Sequence, residues 1–343
     1  MNRNKLILIK SLIVLFVLFL SNYASAQFDR ARPFNDTLIP VHDPVIIRQD
    51  STYYIFCTGQ GITVFSSADR KHWKQEKRVF NAPPQWALDA VPGFKGHVWA
   101  PDISYHNGLY YLYYAVSAFG KNTSCIGVAT NKTLDPSSKD FKWTDHGKVI
   151  QSVPGRDMWN AIDPNLIMDE NNTPWLSFGS FWNGIKLVKL NSDLLSVAQP
   201  EKWHTIASRK RDSILPDSVA GDAAIEAPFI YKHENYYYLF VSFDYCCRGE
   251  KSTYKMMVGR SEKVYGPYID RDGVSMNLGG GSLLLEGDKN WHGVGHNAVA
   301  AFNGSDYLIF HAYDASDNGR SKLRIEKIIW INGWPVISNR PNN

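Results

Sequence analysis

The chain has 343 residues, 13% aromatic and 20% charged, and carries a net charge of +4. Its first 26 residues hold Arg3, Lys5 and Lys10 and no acid, so residues 27–343 hold 34 basic against 33 acidic groups, a net charge of +1. Near-neutrality without a Lys/Arg block argues against a nucleic-acid or anionic-lipid partner and favours a neutral one.

In chain order, the first element is a basic start and an apolar run, Leu6 to Leu20, ending in the small residues Ala24-Ser25-Ala26. That pattern reads as a secretory signal peptide cleaved after Ala26 and places the mature chain in the periplasm or medium. An uncleaved N-terminal anchor is the alternative. No Cys follows the run, which argues against a lipoprotein. Residues 27–343 read as one domain.

That domain repeats one short pattern five times. A polar or acidic residue stands beside Pro or Asn, a few apolar residues follow, and an aromatic-rich strand returns after a turn. The copies are His42-Asp43-Pro44 before Tyr53–Phe56, Ala100-Pro101-Asp102 before Tyr110–Tyr113, and Ile162-Asp163-Pro164 before Trp175–Phe178. Ile225-Glu226-Ala227-Pro228 before Tyr237–Phe240 and His296-Asn297 before Tyr307–Phe310 complete them. The anchors Pro44, Pro101, Pro164, Pro228 and Asn297 follow at steps of 57, 63, 64 and 69 residues. A repeat of that length marks an array of equivalent units.

Each copy is long enough for a four-stranded sheet. Asn107-Gly108 and Asn303-Gly304 sit where hairpin turns belong, and Lys322–Glu326 alternates polar and apolar like a half-buried strand. No amphipathic helix is evident after the leader, and Ser208–Ala224 reads as a polar loop. Radial repetition of such sheets predicts an all-β, five-bladed β-propeller. A β-sandwich would not explain five equivalent anchors, and a parallel β-helix has a much shorter period. The first strand of each blade would line the central channel, bringing Asp43, Asp102, Asp163, Glu226 and His296 to equivalent places near one mouth. Cys57, Cys125, Cys246 and Cys247 have no metal-site spacing. Because adjacent cysteines bridge rarely, Cys246 and Cys247 read as free thiols.

Singly, each carboxylate reads as a turn former or solvated strand end. Gathered at one mouth they repel, which drives their pKa values apart and separates acid from base roles. Clustered carboxylates in a sugar-sized cleft suggest glycoside hydrolysis. Inversion goes with carboxyls about 6.5–9.5 Å apart and retention with about 5–5.5 Å. Trp99, Phe119, Trp159 and Trp182 lie near the anchors and are candidate platforms for sugar C–H faces, with blade packing as the competing reading.

The ordered set His42-Asp43-Pro44, Trp99-Ala100-Pro101-Asp102, Ala161-Ile162-Asp163-Pro164, Ile225-Glu226-Ala227-Pro228 and Gly295-His296-Asn297 resembles glycoside hydrolase family 43, specifically its arabinanases. Cys246-Cys247-Arg248-Gly249, Ser252-Thr253-Tyr254, Gly259-Arg260-Ser261 and Gly266-Pro267-Tyr268 resemble the same branch. The likeness runs from about residue 38 to 335. It implies a five-bladed propeller and inverting hydrolysis of α-1,5-linked L-arabinan, internal bonds first, by a monomer. By matching motif, it implies Asp43 as the general base and Glu226 as the general acid. Asp163 would hold that acid in place and raise its pKa. His296 would contact a channel metal, often calcium, largely through water, and Asp102 would line or support the site. Exo action, an α-L-arabinofuranosidase or β-xylosidase activity, and a non-catalytic sugar-binding propeller are the competing readings.

Overall fold

The computed structural model describes residues 38–338 and the backbone of Pro33–Phe34. The leader and its cleavage after Ala26 lie outside the described residues. No helix among those residues is long and apolar enough to cross a membrane.

Five antiparallel sheets follow one another along the chain, each with four strands in sequence order. Two carry a short added strand. Their first strands are Val45–Gln49, His97–His106, Asn165–Met168, Ile225–His233 and Trp291–Phe302. These five touch in cyclic order, and the fifth touches the first. The expected five-bladed β-propeller is therefore the fold. Closure is made by the segment before blade 1. Leu323 donates its N–H to Ile39 O at 2.9 Å, and Ser321 donates to Val41 O.

The second strands explain the aromatic runs. Leu109–Val116 and Tyr236–Phe243 are buried almost end to end. Each blade is covered on both faces by its neighbours, so both sides of its middle strands must be apolar. The core accordingly lies at the seams between blades. Blades 2 and 3 share Tyr113, Ile126, Leu176 and Phe178, and blades 4 and 5 share Tyr238, Phe240, Val258 and Phe310. Each such side chain, fully buried, contributes about 1.5–3 kcal/mol.

Both Asn-Gly pairs are two-residue hairpin turns, with φ of 48° and 83° at Asn107-Gly108 and 52° and 73° at Asn303-Gly304. Positive φ at both positions is what that turn demands. Asn332-Gly333 does the same in blade 5. Lys322–Glu326 lies in the strand Arg320–Ile331, and Ser208–Ala224 is irregular, as expected. One unexpected element is the six-residue helix Gln85–Ala90. It is too short to show a period and is held by Trp86, whose indole donates to Asp145 at 2.9 Å.

Two expectations fail. Cys246 and Cys247 form a disulfide rather than free thiols, on a loop that turns through a left-handed Cys247 with φ 66°. Cys57 and Cys125 are free and buried. The five ionisable groups are also not equivalent. In every blade the residue before the anchor Pro or Asn is left-handed: Asp43, Ala100, Asp163, Ala227 and His296, with φ between 42° and 57°. Glu226 stands one residue before that position and Asp102 two after it.

Candidate active site

The left-handed step costs a residue with a Cβ about 1–3 kcal/mol, and it recurs five times at one end of the channel. It produces a bulge in which ladder pairing skips from Trp99 to Asp102, Glu226 to Phe229 and Gly295 to Ala298. The following Pro has no N–H to lose from the ladder. Freed from the pleat, Asp43 and His296 meet across the blade 5–blade 1 seam, Nδ1 to Oδ1 at 3.0 Å.

Asp43 is nearly buried and fully engaged. Oδ1 also takes His42 Nδ1 at 2.8 Å, and Oδ2 accepts from the Thr58 hydroxyl at 2.6 Å. Thr58 Oγ1 in turn accepts from the left-handed Ala100 N–H at 2.8 Å. Tyr313 Oη accepts from Cys247 N at 2.7 Å and lies 2.8 Å from His42 Nε2, so Tyr313 donates there and His42 turns its Nδ1–H to Asp43. His311 stacks on His42 with centroids 3.9 Å apart and accepts the Asp43 N–H on Nδ1 at 3.1 Å. Burial alone would raise the Asp43 pKa, but His296 and His42 outweigh it and hold the carboxyl well below the usual range. Burial likewise opposes charge on His296, yet Asp43 and then Asp163 raise it to about 9. Burial drives His311 the other way and keeps it neutral. Asp43 is thus an ionised carboxylate held by a charged imidazole.

The other side is built differently. Asp163 is buried, and burial pushes it up to about 8, opposed by His296 and reinforced by Glu226 and Asp43. Burial thus disfavours its charged form in the free site. Its Oδ2 accepts the N–H of Ala227, the residue after Glu226, at 3.1 Å. Glu226 is half-buried, more open than Asp43 or Asp163. Its Oε1 accepts from Tyr254 at 2.5 Å and its Oε2 from Ser180 at 2.6 Å. Burial, and next Glu226 itself, hold the Tyr254 hydroxyl far above the phenol range, so it stays a donor. Tyr254 reaches Glu226 because Gly295 leaves room: a Cβ there would lie 2.1 Å from the ring.

The remaining candidates separate. Asp102 is buried in the seam of blades 2 and 3, accepting from Leu166 N at 2.8 Å and Asn165 Nδ2 at 3.3 Å. Asn165, two residues after Asp163, makes the same latch to Ile230 N in blade 4 at 2.8 Å. Asp102 is therefore a tie between blades rather than a substrate contact. Trp182 is only 2% exposed and spends its indole N–H on Asp217 O at 2.9 Å, anchoring the 208–224 loop instead of facing a sugar. Trp159 stacks on Trp203 and lines a lateral groove that none of the mouth carboxylates enters. Trp99 is half-buried beside Ala100, with its indole on His97 Nδ1 at 3.0 Å. Phe119, 81% exposed, stands free on the loop after Leu109–Val116.

Sequence reasoning missed several members of the site. Thr58, Ser180, His311 and Tyr313 had no local motif, because their partners lie in other copies. Tyr254 stood in a quoted segment without a role. Phe181, beside the chosen Trp182, is the half-exposed ring of the pair, 6.0 Å from Tyr245.

Compared with known proteins, residues 38–335 match the model of Glycosyl hydrolases family 43. The chain belongs to that family. An extracellular exo-alpha-(1->5)-L-arabinofuranosidase of Cellvibrio japonicus is 54% identical over 88% of this chain and 87% of its own. An extracellular endo-alpha-(1->5)-L-arabinanase of Bacillus subtilis is 43% identical over 86% of this chain and 87% of its own. The solved structure of a Cellvibrio cellulosa alpha-L-arabinanase complexed with arabinohexaose superposes with a TM-score of 0.87 at 54% identity, covering 88% of this chain and 96% of that one.

Proposed function

We propose that this family 43 protein is an inverting hydrolase of α-1,5-linked L-arabinan, acting as a secreted or periplasmic monomer. The observation that carries the reading is the division of the mouth into two chemical halves. Asp43, ionised and held by three donors, is the general base that takes a proton from water. Glu226 is the general acid at the departing oxygen. The Ser180 hydroxyl can donate to its carboxylate or accept from its carboxylic acid, so it serves Glu226 before and after proton transfer. Asp163 fixes the backbone next to the acid. Trp99, Phe119 and Phe181 are the rings offered to the sugar chain. The relatives named above act on arabinan by name, which supports the polymer. Endo cleavage is the first reading. Exo cleavage is the second, favoured by the name of the 54%-identical relative.

Products from linear arabinan over time test both points. A ladder of oligomers supports endo action, and one short product supports exo. Proton NMR of the first product should show the inverted anomer; a retained anomer would overturn Asp43 as base. An intact polymer would overturn the substrate.

We further propose calcium in the channel, held mainly through water. Among the described residues, the groups of three or more His, Cys, Asp or Glu close enough to share an ion are His42–Cys246–Cys247 and His42–Asp43–His311. Both are rich in nitrogen or disulfide sulfur, whereas calcium prefers oxygen. His296 is charged and paired, which disfavours a direct bond through Nδ1. Beside it, neither Oδ1 nor Nδ2 of the buried Asn297 has a hydrogen-bond partner, and Oδ1 is a hard oxygen donor. Calcium there would supply positive charge to the channel. Chelation should lower the melting temperature, and an unchanged one would remove the ion from the account.

A further inference from the structure

Outside the channel mouth, the outer wall carries a groove of about 490 Å³ at the seam of blades 2 and 3. That size lies within the range of about 300–1,000 Å³ usual for small-ligand sites. One wall comes from the outer strand Thr144–Ser152 and the connection after it, the other from residues 196–203 of blade 3. Trp159 and Trp203 line it together, ring centroids 5.2 Å apart and 29° from parallel. Both are half-buried. Phe178 packs edge-on against both from beneath, at 5.2 and 5.9 Å, which fixes the pair.

The polar lining is already ordered and its charge is spent locally. Arg156 pairs with Asp157 at 2.6 Å and donates to Gln151 O at 3.2 Å. Glu201 accepts from the Trp203 indole at 3.1 Å and from Gln199 at 3.2 Å. Aromatic rings beside planar amide and carboxylate groups, with little net charge, suit a neutral polyhydroxylated ligand. Its C–H faces would lie on the rings and its hydroxyls on the rim.

We propose that this groove is a second carbohydrate-binding site, holding a segment of the arabinan chain away from the segment being cleaved. The proposal rests on the arabinan reading above. The groove shares no lining residue with the carboxylates, so it contributes to retention on polymer and not to bond cleavage. Only a chain long enough to reach both places gains from it.

The test compares parental protein, Trp203→Ala and the rim variant Arg156→Ala/Gln199→Ala. Retention on linear arabinan is read by affinity electrophoresis, and kcat/KM on arabinotriose. Trp203→Ala should weaken retention about tenfold, the size expected for truncating an aromatic anchor, with kcat/KM on the trisaccharide unchanged. The rim variant should weaken retention less, in the same direction, and it carries the test alone if Trp203→Ala lowers the melting temperature markedly. Parental retention in folded variants overturns the groove while leaving the arabinan reading intact. A parental protein that neither cleaves nor binds arabinan overturns the reading beneath it.

Discussion

The mouth of the propeller sets two carboxylate environments side by side. On the blade 5–blade 1 side, Asp43 is surrounded by three imidazoles and a hydroxyl, and its charge is stabilised. On the blade 3–blade 4 side, Asp163 and Glu226 have hydroxyl and amide partners but no cation of their own, and burial raises the Asp163 pKa. Both sides are built on the same left-handed step. The charged imidazole that the fifth copy supplies, and not the fold, makes the two carboxylate environments differ. His296 is the hinge of this division, since it lowers the pKa of Asp43 and opposes the rise at Asp163.

The largest effect should come from removing one member of each half. Asp43→Asn should lower kcat on arabinan by about 10²–10⁴, the span of general acid–base contributions. Glu226→Ala should lose turnover similarly while still binding polymer. A Glu226→Ala protein with the parental rate would remove Glu226 from the mechanism. Next comes the pH profile. A carboxyl raised to about 8 is protonated below that pH and ionised above it. Activity should therefore fall as pH rises through about 8, and Asp163→Asn should move that limb. A limb that stays put would separate it from the Asp163–Glu226 pair.

The sequence carried the fold because blade spacing and buried strands leave periodic traces: anchors before left-handed residues, aromatic runs where both sheet faces are covered, and Asn-Gly turns. It carried the gathering of Asp43, Asp163 and Glu226 at one mouth for the same reason. What it could not carry is register finer than one residue. Asp102 and Glu226 looked equivalent to Asp43, yet a two-residue offset sends Asp102 into a seam, where burial pushes it up to about 6. One aromatic choice failed similarly, because Trp182 is buried while its neighbour Phe181 is partly exposed. Partners such as Thr58, Ser180 and His311 become visible only when the ring closes. The vicinal disulfide depends on loop geometry, which no spacing rule encodes.

A smaller effect probes the acid half alone. Tyr254→Phe removes the donor on Glu226 Oε1 while leaving the ring packed on Gly295. Hydrogen bonds to charged groups contribute about 1.5–3 kcal/mol, so kcat should fall about 10–100-fold, with the alkaline limb displaced. Gly295→Ala should give the same signature with lower stability, because its Cβ and the Tyr254 ring cannot both stay in place. Equal pH profiles in parent and Tyr254→Phe would show that this hydroxyl does not tune the acid.

The smallest effect probes the base half. Thr58 joins Asp43 Oδ2 to the N–H of Ala100, linking blades 1 and 2 at their left-handed steps. Thr58→Val keeps the shape and removes both bonds. Asp43 retains His42 and His296, so its charge survives and kcat should fall only several-fold, on the order of 1 kcal/mol. Losing a donor to the ionised form raises the Asp43 pKa. The acidic limb of activity should therefore move to higher pH while the alkaline limb stays. Thr58→Ser should restore both. An alkaline limb that moves instead would mean that the two halves are wired through Ala100, and that the division at His296 is not where base and acid part.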